Sequence, residues 1–199
     1  MKKKAYYMEQ KILEYISTYV PLTQEEKSSI LKEVPYKTFK KGTHLLQEGQ
    51  ISKECYFTIQ GLIRQYELIE GEEKSTYFYS EGEAIVAFES ASKQVPCKFS
   101  WICEEDTTVV IGRLDGIEAA YAKNPKLEKM SRLFINQQFG KYQDVSTSFI
   151  TLDPEQRYLQ LVEKRPDLLK RVAQYHLASY LGIKPETLSR IRKRIAKKI

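Results

Sequence analysis

Histidine, cysteine and long apolar runs are all scarce in this chain of 199 residues. The two histidines, His44 and His176, lie far apart, and a three-histidine metal site cannot be built from them within one chain. The cysteines are Cys55, Cys97 and Cys103, an odd number with no Cys-x-x-Cys pair. That argues against a zinc knuckle or a disulfide framework and for isolated buried thiols. The longest apolar run, residues 84–88, has five members, against the roughly 18 needed to cross a bilayer. Lys2, Lys3 and Lys4 open the chain, but Tyr6, Tyr7, Met8, Glu9, Gln10 and Lys11 follow with no apolar stretch, so no secretory signal is expected and the expected compartment is the cytosol.

Hydrophobic content of 42% and aromatic content of 12% are enough for a packed core. The formal net charge of +6 is unevenly placed. Residues 153–199 hold 12 Lys/Arg and 5 Asp/Glu, a net of +7, whereas residues 1–152 hold 20 and 21, a net of −1. A confined basic block of this kind reads as a footprint for a polyanion.

Residues 5–20 carry an apolar stripe at helical spacing, and Thr23 is placed to cap a second helix over 24–32. From Tyr36 to about Arg113, glycines 42, 49, 61, 71 and 82 recur every 7 to 12 residues between short β-rich runs. This spacing predicts a small all-β barrel or jelly roll, with a hairpin tip at Glu70-Gly71-Glu72-Glu73. Asn124-Pro125 starts a long amphipathic helix, and Asp153-Pro154-Glu155-Gln156 starts another. On the long helix, Leu127, Met130, Phe134, Tyr142, Val145 and Phe149 form an apolar set, expected to serve as a dimer seam because such a helix outruns one small barrel.

The most informative stretch is residues 174–193. Leu177, Ala178 and Leu181 share one helical face, and the small Ala178 lets a second helix cross closely. Gly182 supplies a turn with positive φ, and Ile183 plugs the corner. Pro185 opens a second helix whose apolar face is Leu188, Ile191 and Ile195. This is a helix-turn-helix layout. Its outer face carries Glu186, Ser189, Arg190 and Lys193, candidates for reading base edges, since Arg suits guanine and Glu suits cytosine. Gln174, Thr187, Lys184, Arg192, Arg194 and Lys197 are candidates for phosphate oxygens.

Leu177-Ala178-Ser179-Tyr180-Leu181-Gly182-Ile183, with Pro185-Glu186-Thr187-Leu188-Ser189-Arg190-Ile191, resembles the helix-turn-helix of the Crp/Fnr transcription regulators. Lys41-Gly42, Glu48-Gly49, the run from Phe57 to Arg64, and Tyr79-Ser80-Glu81-Gly82-Glu83 resemble their cyclic-nucleotide-binding-type β-roll. The resemblance implies an α+β protein. A double-stranded β-helix or jelly-roll sensor with N-terminal helices occupies 1–123, a long dimerisation helix 124–152, and a helix-turn-helix domain with a reduced wing 153–199. It implies a non-enzymatic homodimer on pseudo-palindromic double-stranded DNA, with RNA polymerase a further candidate partner and no membrane association. Glu186 and Arg190 fall on the family's base-reading glutamate and arginine. Pro185 occupies the family's other base-reading arginine position.

The ligand pocket departs from the family. Its Gly-Glu pair for the ribose falls here on Val86 and Ala87, and its Arg-Ser pair for the cyclic phosphate falls near Lys98 and Phe99. An apolar pair cannot accept a ribose hydroxyl, and Phe99 cannot donate to phosphate. The expected effector is therefore another small molecule or none, with no cofactor and no metal. Glu83, Ala87, Glu89, Lys98 and Phe99 are the pocket candidates. The rival expectations are a true cAMP- or cGMP-responsive regulator, if a register shift recruits Glu89, and a cupin-like enzyme with an accessory helical domain. The four-cysteine iron–sulfur centre of one oxygen sensor in the family exceeds the cysteine count of this chain.

Overall fold

The computed structural model describes residues 2–196. Two helices come first, α1 (Lys2–Tyr19) and α2 (Gln24–Glu33). Thr23 caps α2 reciprocally: its hydroxyl accepts the Glu26 amide, and the Glu26 carboxylate accepts the Thr23 amide. Met8, Ile12, Leu13 and Ile16 recur at helical spacing and are buried against Ile30 and Ile59.

Eight strands follow: β1 (Tyr36–Phe39), β2 (His44–Leu46), β3 (Glu54–Gln60), β4 (Ile63–Ile69), β5 (Glu72–Tyr79), β6 (Ala84–Ile85), β7 (Ser100–Cys103) and β8 (Thr107–Arg113), with a short helix α3 (Phe88–Lys93) between β6 and β7. They form two four-stranded antiparallel sheets ordered β1-β8-β3-β6 and β2-β7-β4-β5. The expected roll is present, and β5 is an edge strand. Its hairpin with β4 turns at Glu70 and Gly71, both with positive φ (53° and 81°). That is the geometry a two-residue hairpin turn needs to match strand twist. Trp101, Tyr77, Tyr79, Ile63, Ile85 and Val109 fill the space between the sheets.

After a 3₁₀ turn at Leu114–Gly116 come α4 (Ile117–Lys123) and the long α5 (Pro125–Thr151). The Asn124 side chain caps α5 by accepting the Lys126 amide, with Pro125 in the first turn. Four more helices follow among the described residues: α6 (Pro154–Lys164), α7 (Leu168–Arg171), α8 (Gln174–Tyr180) and α9 (Pro185–Ala196). Asp153 and Gln156 cap α6 reciprocally.

The reduced wing is where expectation and structure differ. Among the described residues no strand follows Arg113. Residues 165–173 contain Pro166 and the helical turn α7, which leaves no two extended runs to pair. The C-terminal helices also lack a separate core. Leu161, Leu168, Leu177, Tyr180, Leu181, Leu188 and Ile191 share one cluster with Leu62 and Phe78 of the roll.

Candidate nucleic-acid interface and roll interior

The α8–α9 corner follows from its sequence. Ala178 is fully buried, and its carbonyl accepts the Ile183 amide at 3.0 Å. Gly182 sits at φ +69°, where a Cβ would also come within 3.2 Å of the Phe149 ring. Arg157 clamps the turn by donating to the Leu181 carbonyl (3.1 and 3.2 Å) and the Leu152 carbonyl (2.7 Å). Leu188 and Ile191 are buried, so the opposite face of α9 points outward. Glu186, Arg190 and Lys193 are exposed there and Ser189 is half-buried. Arg190 donates to the Thr187 hydroxyl at 3.3 Å.

The phosphate candidates are placed unequally. Gln174 and Lys184 are exposed at the feet of α8 and α9, and Arg192 is half-buried. Arg194 is paired with Glu155 of α6. Lys197 lies outside the described residues.

This helical unit sits directly on the roll. The Ser75 amide, on edge strand β5, donates to Ser179 Oγ of α8 at 2.9 Å. Arg171 forks onto Glu81 (2.9 and 3.0 Å) and Glu105 (2.6 Å). Burial alone would lower the Arg171 pKa, but the Glu105 and Glu81 bonds outweigh it and raise it. Burial likewise works to raise the Glu81 pKa, yet Arg171 and the Gly61 amide hold it low. Arg165 donates to the Phe78 carbonyl (3.3 Å) and Ser80 Oγ (3.2 Å). Arg64, only 2% exposed, is bracketed by Glu104 (2.5 Å) and Glu73 (2.7 Å). His176 Nε2 lies 3.7 Å from Glu104, and burial followed by the Arg64 charge depresses its pKa. Between roll and α8, Arg64, Glu73, Glu104 and His176 line an open cleft of about 630 Å³, shared with Lys41, Glu72 and Tyr175.

The roll interior is filled by its own side chains. Trp101 Nε1 and Tyr79 OH both donate to Gln65 Oε1, at 3.0 and 2.9 Å. Tyr79 is also hydrogen-bonded to Tyr142 of α5, whose phenol is pushed up to about 12 by burial. The pocket candidates do not converge. Ala87 is buried in this core, and Phe99 is half-buried beside Trp101, ring centroids 5.5 Å apart. Glu89 and Lys98 are exposed, and Glu89 pairs with Lys93 at 3.0 Å. Glu83 lies at the junction of roll, α5 and the C-terminal helices. It accepts from Lys141 (2.7 Å) and the Ser80 amide (2.7 Å), with Arg165 at 3.8 Å.

Of the six apolar residues expected at the seam of the long helix, four pack on their own chain. Phe134 packs on Tyr19 and Phe57, Met130 on the N-terminal cluster, and Tyr142 and Val145 on the roll core. Phe149 holds the Arg157 guanidinium over its ring, and Leu127 is half-buried. Phe149 is also among the exposed apolar residues of α5, with Ile135, Phe139 and Ile150.

Sequence reasoning passed over Gln65, Lys141, Arg165 and Arg171. Gln65 carried a weak signal, an amide in a β-rich run. The three cations carried none, since the roll carboxylates they meet are distant in sequence. Cys97 and Cys103 are buried, and burial pushes the Cys103 thiol up to about 11. Among the described residues no group of three or more His, Cys, Asp or Glu is arranged to hold a metal ion, and no helix is long and apolar enough to cross a membrane.

Residues 36–124 match the cyclic nucleotide-binding domain family. No curated protein matches the chain. Among solved structures, the chain is similar to a CooA mutant from Carboxydothermus hydrogenoformans (15% identity, TM-score 0.69, covering 85% of this chain and 79% of that one). It is similar to FixK2 from Bradyrhizobium japonicum (15%, 0.66, 83% and 85%). A third is the c-di-GMP responsive global regulator CLP of Xanthomonas campestris (15%, 0.65, 86% and 90%). The chain therefore has the fold of these proteins, built around a cyclic-nucleotide-binding-type roll.

Proposed function

We propose that the chain is a DNA-binding transcription regulator of the Crp/Fnr type, acting as a homodimer on a pseudo-palindromic operator. The observation that carries this is the α8–α9 corner. Its buried face is apolar and its outward face presents Glu186, Ser189, Arg190 and Lys193, the residue types that read base edges in a major groove. Residues 153–199 form the reader, 124–152 the dimer helix, and the roll is the sensing module. Similarity to the global regulator CLP supports the same class.

The dimer seam is best assigned to the outward stripe of α5. Ile135, Phe139 and Ile150 are 40%, 61% and 84% exposed and fall within about 60° of one another at 100° per residue. A second copy of α5 is the partner proposed for this stripe.

The effector is proposed not to be a cyclic nucleotide. Tyr56, Tyr77, Tyr79 and Trp101 fill the inter-sheet space, and the amide oxygen of Gln65 beside them already accepts two hydrogen bonds. Selecting bound DNA from a random duplex library tests the function. Enrichment of a palindrome with half-sites about one helical turn apart is expected; no enrichment of any sequence would refute it.

A further inference from the structure

Given the DNA-binding reading above, on which this rests, we propose that the β4–β5 hairpin of the roll stands in for the missing wing beside the α8–α9 corner and, being acidic, weakens binding of any DNA backbone laid across α8. The C-terminal unit has no strand of its own among the described residues. The element seated against α8 is β5. Phe78 shares a core with Leu177 and Tyr180, and the Ser75 amide donates to Ser179 Oγ at 2.9 Å. The hairpin is thus fixed next to the reader by apolar packing and a hydrogen bond.

Its charge is of the wrong sign for DNA. Residues 67–74 hold Glu67, Glu70, Glu72 and Glu73 against the single Lys74. Arg64 offsets Glu73. Lys74 lies 2.5 Å from Glu72, but the Glu72 side chain is 75% exposed, so solvent screens that pair. Glu70, at the turn, is exposed. Glu72 and Glu73 line the same cleft as Tyr175 in the first turn of α8. Lys184 at the foot of α9 is near enough for its charge to act on Glu72. The first helix of such a motif crosses the DNA backbone, which carries one charge per roughly 1.7 Å of duplex. Screening extends over about 10 Å at 0.1 M salt, so carboxylates at this site act on phosphates. The penalty is therefore the same for every base sequence.

The test is the full chain carrying Glu70→Lys with Glu72→Lys, titrated with a selected operator and a scrambled duplex over a range of salt. Both duplexes are expected to bind about tenfold tighter at about 50 mM salt, with the slope of log K against log salt steeper by roughly 1–2, and with the operator preference unchanged. A matched pair, Glu118→Lys with Glu128→Lys, adds the same charge on α4 and α5 and should leave both affinities within about twofold. An equal gain in the matched pair, or no gain in the hairpin variant, overturns the surrogate wing while leaving DNA binding intact. If neither the parent nor the hairpin variant binds any duplex, the DNA-binding reading itself fails and the surrogate wing with it.

Discussion

Lys141 Nζ, on the long helix, donates to Glu83 Oε1 of the roll at 2.7 Å. Glu83 is 2% exposed, and Arg165, just past α6, approaches its other oxygen at 3.8 Å. Roll, long helix and C-terminal unit therefore meet on one carboxylate. A movement of any one of the three changes the surroundings of that charge.

Glu83→Gln should destabilise the chain by about 2 kcal/mol, the scale of a hydrogen bond to a charged group. Lys141 is half-exposed and recovers hydration, which keeps the loss below that of a fully buried pair. Urea denaturation with an unchanged m-value measures it. An unaltered midpoint would show that the junction does not depend on this charge.

On DNA, Arg190→Ala should relax preference at one base position, costing about 1–3 kcal/mol there. Arg192→Ala should weaken all sequences alike and shallow the salt slope by about 1. Arg194→Ala should do less than Arg192→Ala, because Glu155 already engages that guanidinium. Binding isotherms on an operator and its single-base variants separate the three.

Stability should fall as pH drops below about 6.5, the ordinary value for histidine. Burial and Arg64 depress the His176 pKa, so in this range the unfolded chain takes up a proton that the folded chain resists. The stability present above pH 6.5 is then lost down to the lowered pKa. Glu81, also depressed, contributes only at lower pH, below its ordinary value of 4.5. His176→Gln should flatten the curve between pH 5 and 7 and leave the carboxylate limb. An identical curve in that variant would remove His176 as the cause.

Phe139→Glu should convert a dimer to monomer in analytical ultracentrifugation without lowering the stability of the monomer fold, since the ring is 61% exposed. Phe134→Ala should instead cost about 3–5 kcal/mol of stability through loss of a buried ring. The opposite assignment of the two phenotypes would place the seam on the inward face.

Neither cAMP nor cGMP should raise the Tm, because Gln65, Tyr79 and Trp101 saturate one another inside the roll. A rise that grows with ligand concentration would mean that these rings move aside.

Local rules made much of this legible. Thr23, Asn124 and Asp153 announced helix starts that the structure keeps, because a cap is settled within three residues. Glycine punctuation placed the strands, and the small Ala178 with Gly182 placed the corner. What covers the inward face of α5 is not legible in the sequence, for a physical reason. An apolar stripe states that something covers it, but Tyr19, Phe57 and Tyr79, which cover it, come from distant segments. The roll carboxylates beside Arg165 and Arg171 were hidden in the same way. Charge arithmetic had counted both arginines toward a polyanion, whereas roll carboxylates already hold Arg171.

Leu62 and Phe78 belong to the roll by sequence and to the C-terminal core by packing. A segment that borrows its interior cannot be shuffled to a new host as a cassette. A change in β5 that suits the sensor must also suit α8, so the two halves are bound to evolve as one lineage.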